Sequence, residues 1–165
     1  MNNDGARHHI HEELFSVSPE RMFITLLTPS AIKEWWGASR AIVVPKKGGS
    51  WVAMWGEDEK DSDCISTFRI SEFDPPNRLI FTDGRFLAKA GQAPFEMNMT
   101  TEFIIEPMAG GCMLRVVHDG FPTDKAADEF YEACVLGWMN SFEGIRKYLF
   151  DNPVESDDGS EHRLG

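Results

Sequence analysis

The chain has 165 residues, of which 42% are hydrophobic and 26% charged, as expected for one globular domain. Its formal net charge of −11 argues against nucleic acids and anionic membrane surfaces as partners, because their phosphates would repel it. Cys64, Cys112 and Cys134 lack C-x-x-C spacing, which favours a reducing compartment such as the cytoplasm over a disulfide scaffold. With no signal-peptide pattern and no run of about 18 apolar residues, we expect no membrane span.

The N-terminal part of the chain predicts one strand followed by two short helices. Residues 1–7 are polar and predict a disordered terminus, and residues 8–17 read as a strand. Ser18-Pro19 supplies a hydroxyl N-cap and a proline at the first helical position, so a helix is expected from there. Thr28-Pro29 repeats this signal, which predicts a second helix through Trp36.

The middle of the chain predicts a series of antiparallel strands separated by turns. Six short segments have the composition and alternation of strands, namely residues 41–44, 50–55, 65–73, 79–82, 95–106 and 112–118. Gly110-Gly111 predicts a tight hairpin before the last of them. Residues 84–94 predict a longer loop.

The last long segment, Thr123 to Phe150, reads as one amphipathic helix. Its apolar residues recur at three- and four-residue steps: Ala127, Tyr131, Cys134, Trp138, Phe142, Ile145 and Leu149. Gly137 and Gly144 flank this stripe and predict that the helix backbone lies close to whatever it packs on. A long helix after many short strands predicts an α+β fold, in which a curved antiparallel sheet of about seven strands grips one helix and leaves a cavity. The acidic residues 151–165 predict a disordered tail.

Four motifs carry a resemblance to a known family. They are residues 28–36 (TPSAIKEWW), 48–51 (GGSW), 72–79 (EFDPPNRL) and Gly137-Trp138. Over residues 8–150 the chain resembles the SRPBCC superfamily (START-like, helix-grip), as a single domain. Within it, the chain resembles the branch named for the activator of the ninety-kilodalton heat-shock chaperone ATPase, the homologue-like proteins.

What this resemblance implies is a helix-grip fold rather than one activity. The superfamily carries lipid transfer, polyketide cyclisation, hydroxylase domains, toxin resistance and chaperone regulation on one scaffold. Phe68 and Asp83 depart from the family pattern, which often has a glycine and an aromatic residue at these positions. Both are expected to lie near the sheet interior and to reshape any cavity.

Strand alternation predicts which side chains face the interior of the sheet. The candidate ligand-binding residues are Trp36, Trp51, Trp55, Phe68, Phe81, Met97, Met99, Phe103, His118, Trp138 and Phe142. They predict a pocket for an apolar or aromatic small molecule, such as a lipid or a polyketide-like compound. The alternative is that these side chains fill the core. Trp35 and Trp36 cannot both face inward, because neighbouring helical residues point about 100° apart, so one should lie near the mouth of the sheet.

Several polar residues are candidates for chemistry. His118 is the one catalytic candidate, as a proton shuttle; the alternative is a hydrogen bond to a loop carbonyl. Arg85 and Glu96 could position a polar ligand group or lie in solvent. His9 and His11 share one face of the first strand, but a metal site needs further ligands and none stands out. We therefore predict no metal and no cofactor.

Three functions remain open from the sequence. The first is a cytoplasmic cavity protein that binds a hydrophobic small molecule. The second is an enzyme, a polyketide cyclase or aromatase that uses His118. The third is a regulator of a heat-shock chaperone ATPase, although the chain has no room for the second domain of the eukaryotic co-chaperones. Leu136 and Met139, apolar on the polar side of the last helix, are candidates for a homodimer or partner contact.

Overall fold

The computed structural model describes residues 6–57, 63–88 and 99–153. The strands are β1 (Ala6–Phe15), β2 (Arg40–Val43), β3 (Ser50–Trp55), β4 (Cys64–Asp74), β5 (Arg78–Ala88), β6 (Met99–Met108) and β7 (Gly111–Pro122). The helices are α1 (Pro19–Leu27), α2 (Pro29–Trp35) and α3 (Asp128–Asp151), with a 3₁₀ turn (Lys125–Ala127) before α3. The predicted order of elements is confirmed.

The seven strands form one antiparallel sheet in the order β1-β7-β6-β5-β4-β3-β2. The helices α1 and α2 carry the chain from β1 at one edge to β2 at the other. The strands then return as a meander until β7 pairs with β1. The helix α3 lies across the concave face of the sheet, because its apolar stripe shares one core with the inward-facing residues of the strands, and the predicted helix-grip fold is confirmed.

The two short helices begin where the sequence predicts. Ser18 caps α1, since its hydroxyl accepts a hydrogen bond from the backbone N–H of Arg21 at 3.1 Å, and Pro19 occupies the first helical position. Thr28 ends α1 and precedes α2, where its hydroxyl donates to the carbonyl of Ile24 at 2.7 Å. The sharp turn between the helices therefore comes from one threonine followed by a proline.

The helix α3 begins at Asp128, later than the predicted start at Thr123. Residues Lys125–Ala127 form a 3₁₀ turn in which the N–H of Ala127 donates to the carbonyl of Asp124 at 2.9 Å. Apolar residues spaced three apart fit either helix type, so periodicity does not distinguish this turn from α-helix. The stripe on α3 is buried from its middle onward, at Trp138, Phe142, Ile145 and Leu149.

The two glycines of α3 have opposite surroundings. A Cβ at Gly144 would collide with the backbone carbonyl oxygen of Trp35, so the predicted close approach is real there and joins α3 to α2. A Cβ at Gly137 would meet no heavy atom within 4 Å. The predicted close approach is therefore wrong at Gly137, which borders open space.

The strand β5 continues to Ala88, although the sequence predicts a loop from Gly84. Asp83 adopts a φ of 56°, and the register between β5 and β6 shifts between Phe81 and Gly84. An Asp-Gly pair, which predicts a turn, thus forms a bulge inside a strand. The predicted strand 95–106 is described only from Met99, as β6. The predicted tail 151–165 begins at the last residue of α3, Asp151, and its residues from 154 onward lie outside the described residues.

The first strand begins at Ala6, inside the segment predicted to be disordered, because it pairs with the end of β7. Its odd-numbered residues face the interior, among them His9, His11 and Phe15. Among the described residues, no helix is long and apolar enough to cross a membrane.

Candidate functional site

A cavity of about 310 Å³ lies between the sheet and the N-terminal half of α3. Its sheet wall comes from β3–β7, and α2 contributes Trp36, its C-cap residue. The lining residues are Trp36, Trp55, Ser66, Phe68, Gly84, Arg85, Phe86, Met99, Thr101, His118, Phe130, Ala133, Cys134, Gly137, Trp138 and Ser141. The cavity exists because small residues of α3 face the sheet there.

These small residues repeat every four positions along α3. Ala133, Gly137 and Ser141 therefore lie on one line of the helix, and all three border the cavity. Toward the C-terminus the same helix presents larger side chains, Ile145 and Leu149, which fill the core. The sequence carries this signal as a row of small residues within an otherwise apolar stripe, whereas large aromatic residues and methionines alone do not indicate where the cavity lies.

Six of the predicted ligand-binding residues border the cavity, and four do not. Those in the wall are Trp36, Trp55, Phe68, Met99, His118 and Trp138. Trp51, Phe81, Phe103 and Phe142 are at most 2% exposed and belong to the packed core. Met97 and Glu96 lie outside the described residues. Alternation correctly gives the inward face, but position along each strand decides between core and cavity.

The aromatic part of the wall is centred on Trp36. Its ring centroid lies 5.1 Å from that of Trp51, 5.0 Å from Trp55 and 6.5 Å from Trp138. The planes of Trp36 and Trp138 differ by only 19°, but a third ring stacked between them would need about 7 Å between their centroids, at carbon–carbon contacts of about 3.5 Å on each face. A flat aromatic molecule in the cavity would therefore pack against one of these rings and not between them.

Of the two consecutive tryptophans at the end of α2, Trp35 is buried in the core and Trp36 borders the cavity, so they point in different directions as predicted. Trp35 is buried, and its indole N–H donates to the carbonyl of Thr25 at 3.0 Å. Trp51 is anchored in the same way, by a 3.0 Å hydrogen bond to the carbonyl of Leu26. Trp36 is the residue that reaches the cavity. The Trp35 bond therefore ties α2 to α1, the Trp51 bond ties α1 to β3 of the sheet, and Trp36 contributes to the cavity wall.

Of the two departures from the family pattern, only Phe68 shapes the cavity. Its ring lies over Gly84, where a Cβ would come 2.7 Å from the Cε1 atom, so the missing side chain makes room for the ring. Asp83 was expected near the interior, and this is wrong. Its side chain is 64% exposed and forms an ion pair with Arg69, with 3.3 Å between Nε and Oδ2.

His118 is held by a hydrogen bond from Trp138. The indole Nε1–H donates to Nδ1 of His118 at 2.9 Å, both side chains being buried. The loop-carbonyl bond considered from the sequence is therefore replaced by a bond to a helix side chain. Burial, aided by nearby His9, lowers the pKa of His118 to about 4, although Asp119 opposes the shift. The imidazole is thus neutral at pH 7.

Two buried polar atoms beside His118 lack partners. The strand register places His9 and Thr101 directly opposite His118 on the two neighbouring strands. Among the described residues, neither Nε2 of His9 nor Oγ1 of Thr101 makes a hydrogen bond. Thr101 is 2% exposed and belongs to the cavity wall. His9, His118 and Thr101 therefore form a polar row across the inner face of β1, β7 and β6, in which His118 has a hydrogen-bond partner and the two cited atoms of its neighbours have none among the described residues.

The remaining reactive groups have ordinary roles. Burial raises the pKa of Cys134 to about 12, so the thiol stays protonated and packs as a small apolar group. His11 bonds to Glu13, with 2.8 Å between Nε2 and Oε2, and its ring packs on Phe142. Within the described residues no cluster of three or more potential ligands could hold a metal. Arg85 is exposed and lies at the margin of the cavity.

A curved antiparallel sheet that grips a helix over an aromatic cavity defines a helix-grip, ligand-cavity class of protein. The sequence matches the family described as activator of Hsp90 ATPase homolog 1-like protein over residues 16–150. The chain belongs to this family. No curated protein has a significantly matching sequence.

Solved structures with low sequence identity share the fold. MLL2253 from Mesorhizobium loti has a TM-score of 0.72 at 22% identity, with 90% of this chain and 100% of that chain covered. A protein of unknown function from Staphylococcus aureus, SA2116, has a TM-score of 0.70 at 14% identity, covering 91% and 98%. CalU16 from Micromonospora echinospora has a TM-score of 0.62 at 13% identity, covering 96% and 81%. At these identities the likeness establishes the fold alone.

Proposed function

We propose that this protein binds a hydrophobic, aromatic small molecule in the cavity beneath α3. The observation that carries the proposal is the cavity of about 310 Å³, walled by aromatic side chains of α2, the sheet and α3. This volume lies at the lower end of ordinary ligand pockets, roughly 300–1,000 Å³. It suits a molecule of two or three fused rings. Trp36 and Trp138 both border the cavity, so such a ring system can stack on their indoles or pack edge-to-face against them.

The direct test is quenching of tryptophan fluorescence by naphthalene derivatives. Trp36, Trp55 and Trp138 border the cavity, so a bound aromatic molecule should change their emission. The blocking variant is Gly137→Phe, because Gly137 borders the cavity and a Cβ there meets no heavy atom within 4 Å. Met139→Phe is the matched control, since Met139 is 46% exposed on the same helix.

We expect saturable quenching in the wild type and in Met139→Phe, and its loss in Gly137→Phe with the fold retained by circular dichroism. Saturable quenching that survives unchanged in Gly137→Phe would place the ligand elsewhere and contradict the proposal. No quenching by any member of the panel would contradict it as well.

Neither alternative function gains comparable support. A cyclase or aromatase would need His118 to exchange protons, yet its Nδ1 is occupied by the indole of Trp138 and burial lowers its pKa to about 4. Regulation of a chaperone is suggested by the name of the family only. We therefore propose binding without catalysis as the primary role.

The proposed setting is the cytoplasm, in keeping with the three unpaired cysteines. Leu136 and Met139 are 57% and 46% exposed on the outer side of α3, and we propose them as a contact for a second copy. Sedimentation of the wild type and of Leu136→Lys would test this, since a charged residue should abolish any dimer.

A further inference from the structure

The hydrogen bond between Trp138 and His118 fixes the tautomer of the imidazole. An indole N–H can only donate, so Nδ1 of His118 must accept with its lone pair. A neutral imidazole then carries its proton on Nε2. The lowered pKa of His118 agrees with this neutral form. The cavity wall therefore contains a hydrogen-bond donor, Nε2–H of His118, and Trp138 on α3 fixes the tautomer that makes this nitrogen a donor.

This donor has an unsatisfied neighbour. Among the described residues, Nε2 of His118 bonds to no other group, and the hydroxyl of Thr101 has no partner either. The two residues are a cross-strand pair on β6 and β7, which places their Cβ atoms about 5 Å apart. Both belong to the cavity wall. Two hydrogens that need an acceptor thus lie side by side in largely aromatic surroundings.

The acceptor they require follows from their chemistry. A carbonyl oxygen has two lone pairs and no hydrogen, so one such atom can accept from both donors. A ligand hydroxyl could donate to Oγ1 of Thr101, because Nδ1 of His118 is already occupied, but it brings a third hydrogen, so one of the three would lack an acceptor at this pair. A carboxylate would carry a full charge into a wall whose histidine is neutral, and burial of a charge without a countercharge is unfavourable.

We infer that the cavity selects a neutral aromatic ketone, whose carbonyl oxygen accepts hydrogen bonds from Nε2–H of His118 and from the hydroxyl of Thr101. This inference rests on the proposed function and specifies its ligand class. A planar ring system packs against the aromatic wall that includes Trp36, Phe68 and Trp138, and the carbonyl group is directed at the sheet.

The test compares two probes that differ mainly at one group, 2-acetylnaphthalene and 2-ethylnaphthalene, by calorimetry on the full chain. One hydrogen bond that forms in a buried site corresponds to a preference of about tenfold, so the ketone should bind the wild type about tenfold more tightly. The carbonyl stretch of the bound ketone, measured by infrared difference spectroscopy, should shift to lower frequency than in hydrocarbon solvent.

Substitutions at His118 should remove and restore this preference. His118→Met removes the donor, so both probes should bind with similar affinity. His118→Gln should restore the preference, because the amide oxygen can accept from Trp138 while its N–H₂ group donates. His11→Met is the matched control, since His11 lies on the same inner face outside the cavity wall, and it should leave the preference unchanged.

The outcomes separate this inference from the proposed function. If both probes bind the wild type equally and the carbonyl stretch does not move, the ketone inference is wrong while the cavity proposal stands. If neither probe binds, the cavity proposal fails and the inference fails with it. The wild-type comparison and the infrared shift do not depend on any variant folding.

Discussion

Two chemically identical substitutions in α3 should change stability in opposite directions. Gly137 and Gly144 lie seven residues apart on one helix. A Cβ at Gly137 projects into the cavity and meets nothing within 4 Å, whereas a Cβ at Gly144 collides with the carbonyl oxygen of Trp35. The pair Gly137→Ala and Gly144→Ala therefore separates the helix propensity of alanine from the packing of α3 on α2.

The magnitudes follow from these surroundings. Alanine in place of glycine in a helix interior stabilises by about 1 kcal/mol, and Gly137→Ala should gain this amount. Gly144→Ala receives the same gain but must move two helices apart. Overpacking of this kind costs about 1–3 kcal/mol, and the obstacle is backbone rather than a flexible side chain. Since a backbone obstacle places the cost in the upper part of this range, about 2–3 kcal/mol, a net loss of about 1–2 kcal/mol remains after the gain of about 1 kcal/mol. The two variants should therefore differ by about 2–3 kcal/mol.

Urea denaturation followed by circular dichroism measures this difference directly. For a domain of this size, each kcal/mol corresponds to about 2–4 °C in Tm, which gives an independent check by calorimetry. Equal stabilisation by both substitutions would show that α2 does not touch α3 at Gly144. A loss of stability in Gly137→Ala would show that the space beneath it is filled by protein.

Three further predictions concern the cavity wall. Burial lowers the pKa of His118 to about 4, so as the pH falls below about 6.5 this histidine takes up a proton in the unfolded chain before it does so in the folded protein. The free energy of unfolding, measured by urea titration, should therefore drop by about 2 kcal/mol between pH 7 and pH 5. His118→Gln should flatten much of this slope, and an unchanged slope would contradict the assignment. Trp138→Phe removes the donor to Nδ1, so the pKa of His118 followed by NMR should rise; no rise would refute the fixed tautomer. Burial raises the pKa of Cys134 to about 12, so iodoacetamide should alkylate this thiol in the native protein at least about 100-fold more slowly than it alkylates free cysteine. Mass spectrometry measures this rate, and labelling of Cys134 at the rate of free cysteine would contradict its burial.

The sequence predicted the bounds of helices and strands well where a local capping or turn signal determines where the element begins. Ser18-Pro19 and Thr28-Pro29 gave the starts of both short helices, and the boundaries of β3 agree with the prediction. The errors fall where two signals compete. Residues 84–94 predict a loop, but pairing of β5 with its neighbours continues the strand to Ala88, and the Asp83-Gly84 pair is accommodated as a bulge.

The cavity was harder to predict than the fold because its position depends on the small side chains of α3, which leave space next to the sheet. Alternation identified inward-facing residues, yet Phe103 fills the core and Met99, on the same face of β6, borders the cavity. Met99 lies four residues before Phe103 on β6, and it borders the cavity because the side chains of α3 that face this end of the strand are small. A search for large candidate residues could not find Gly137 or Ser141. The indole partner of His118 also depends on tertiary packing that no local pattern encodes.

The central claim is that the space between the sheet and α3 holds a flat aromatic molecule. The most direct measurement is the anomalous diffraction of bromine from crystals grown with 6-bromo-2-acetylnaphthalene. The account predicts one strong bromine peak inside the cavity, among Trp36, Phe68 and Trp138. Bromine only on the outer surface, with no peak in the cavity under saturating ligand, would contradict it.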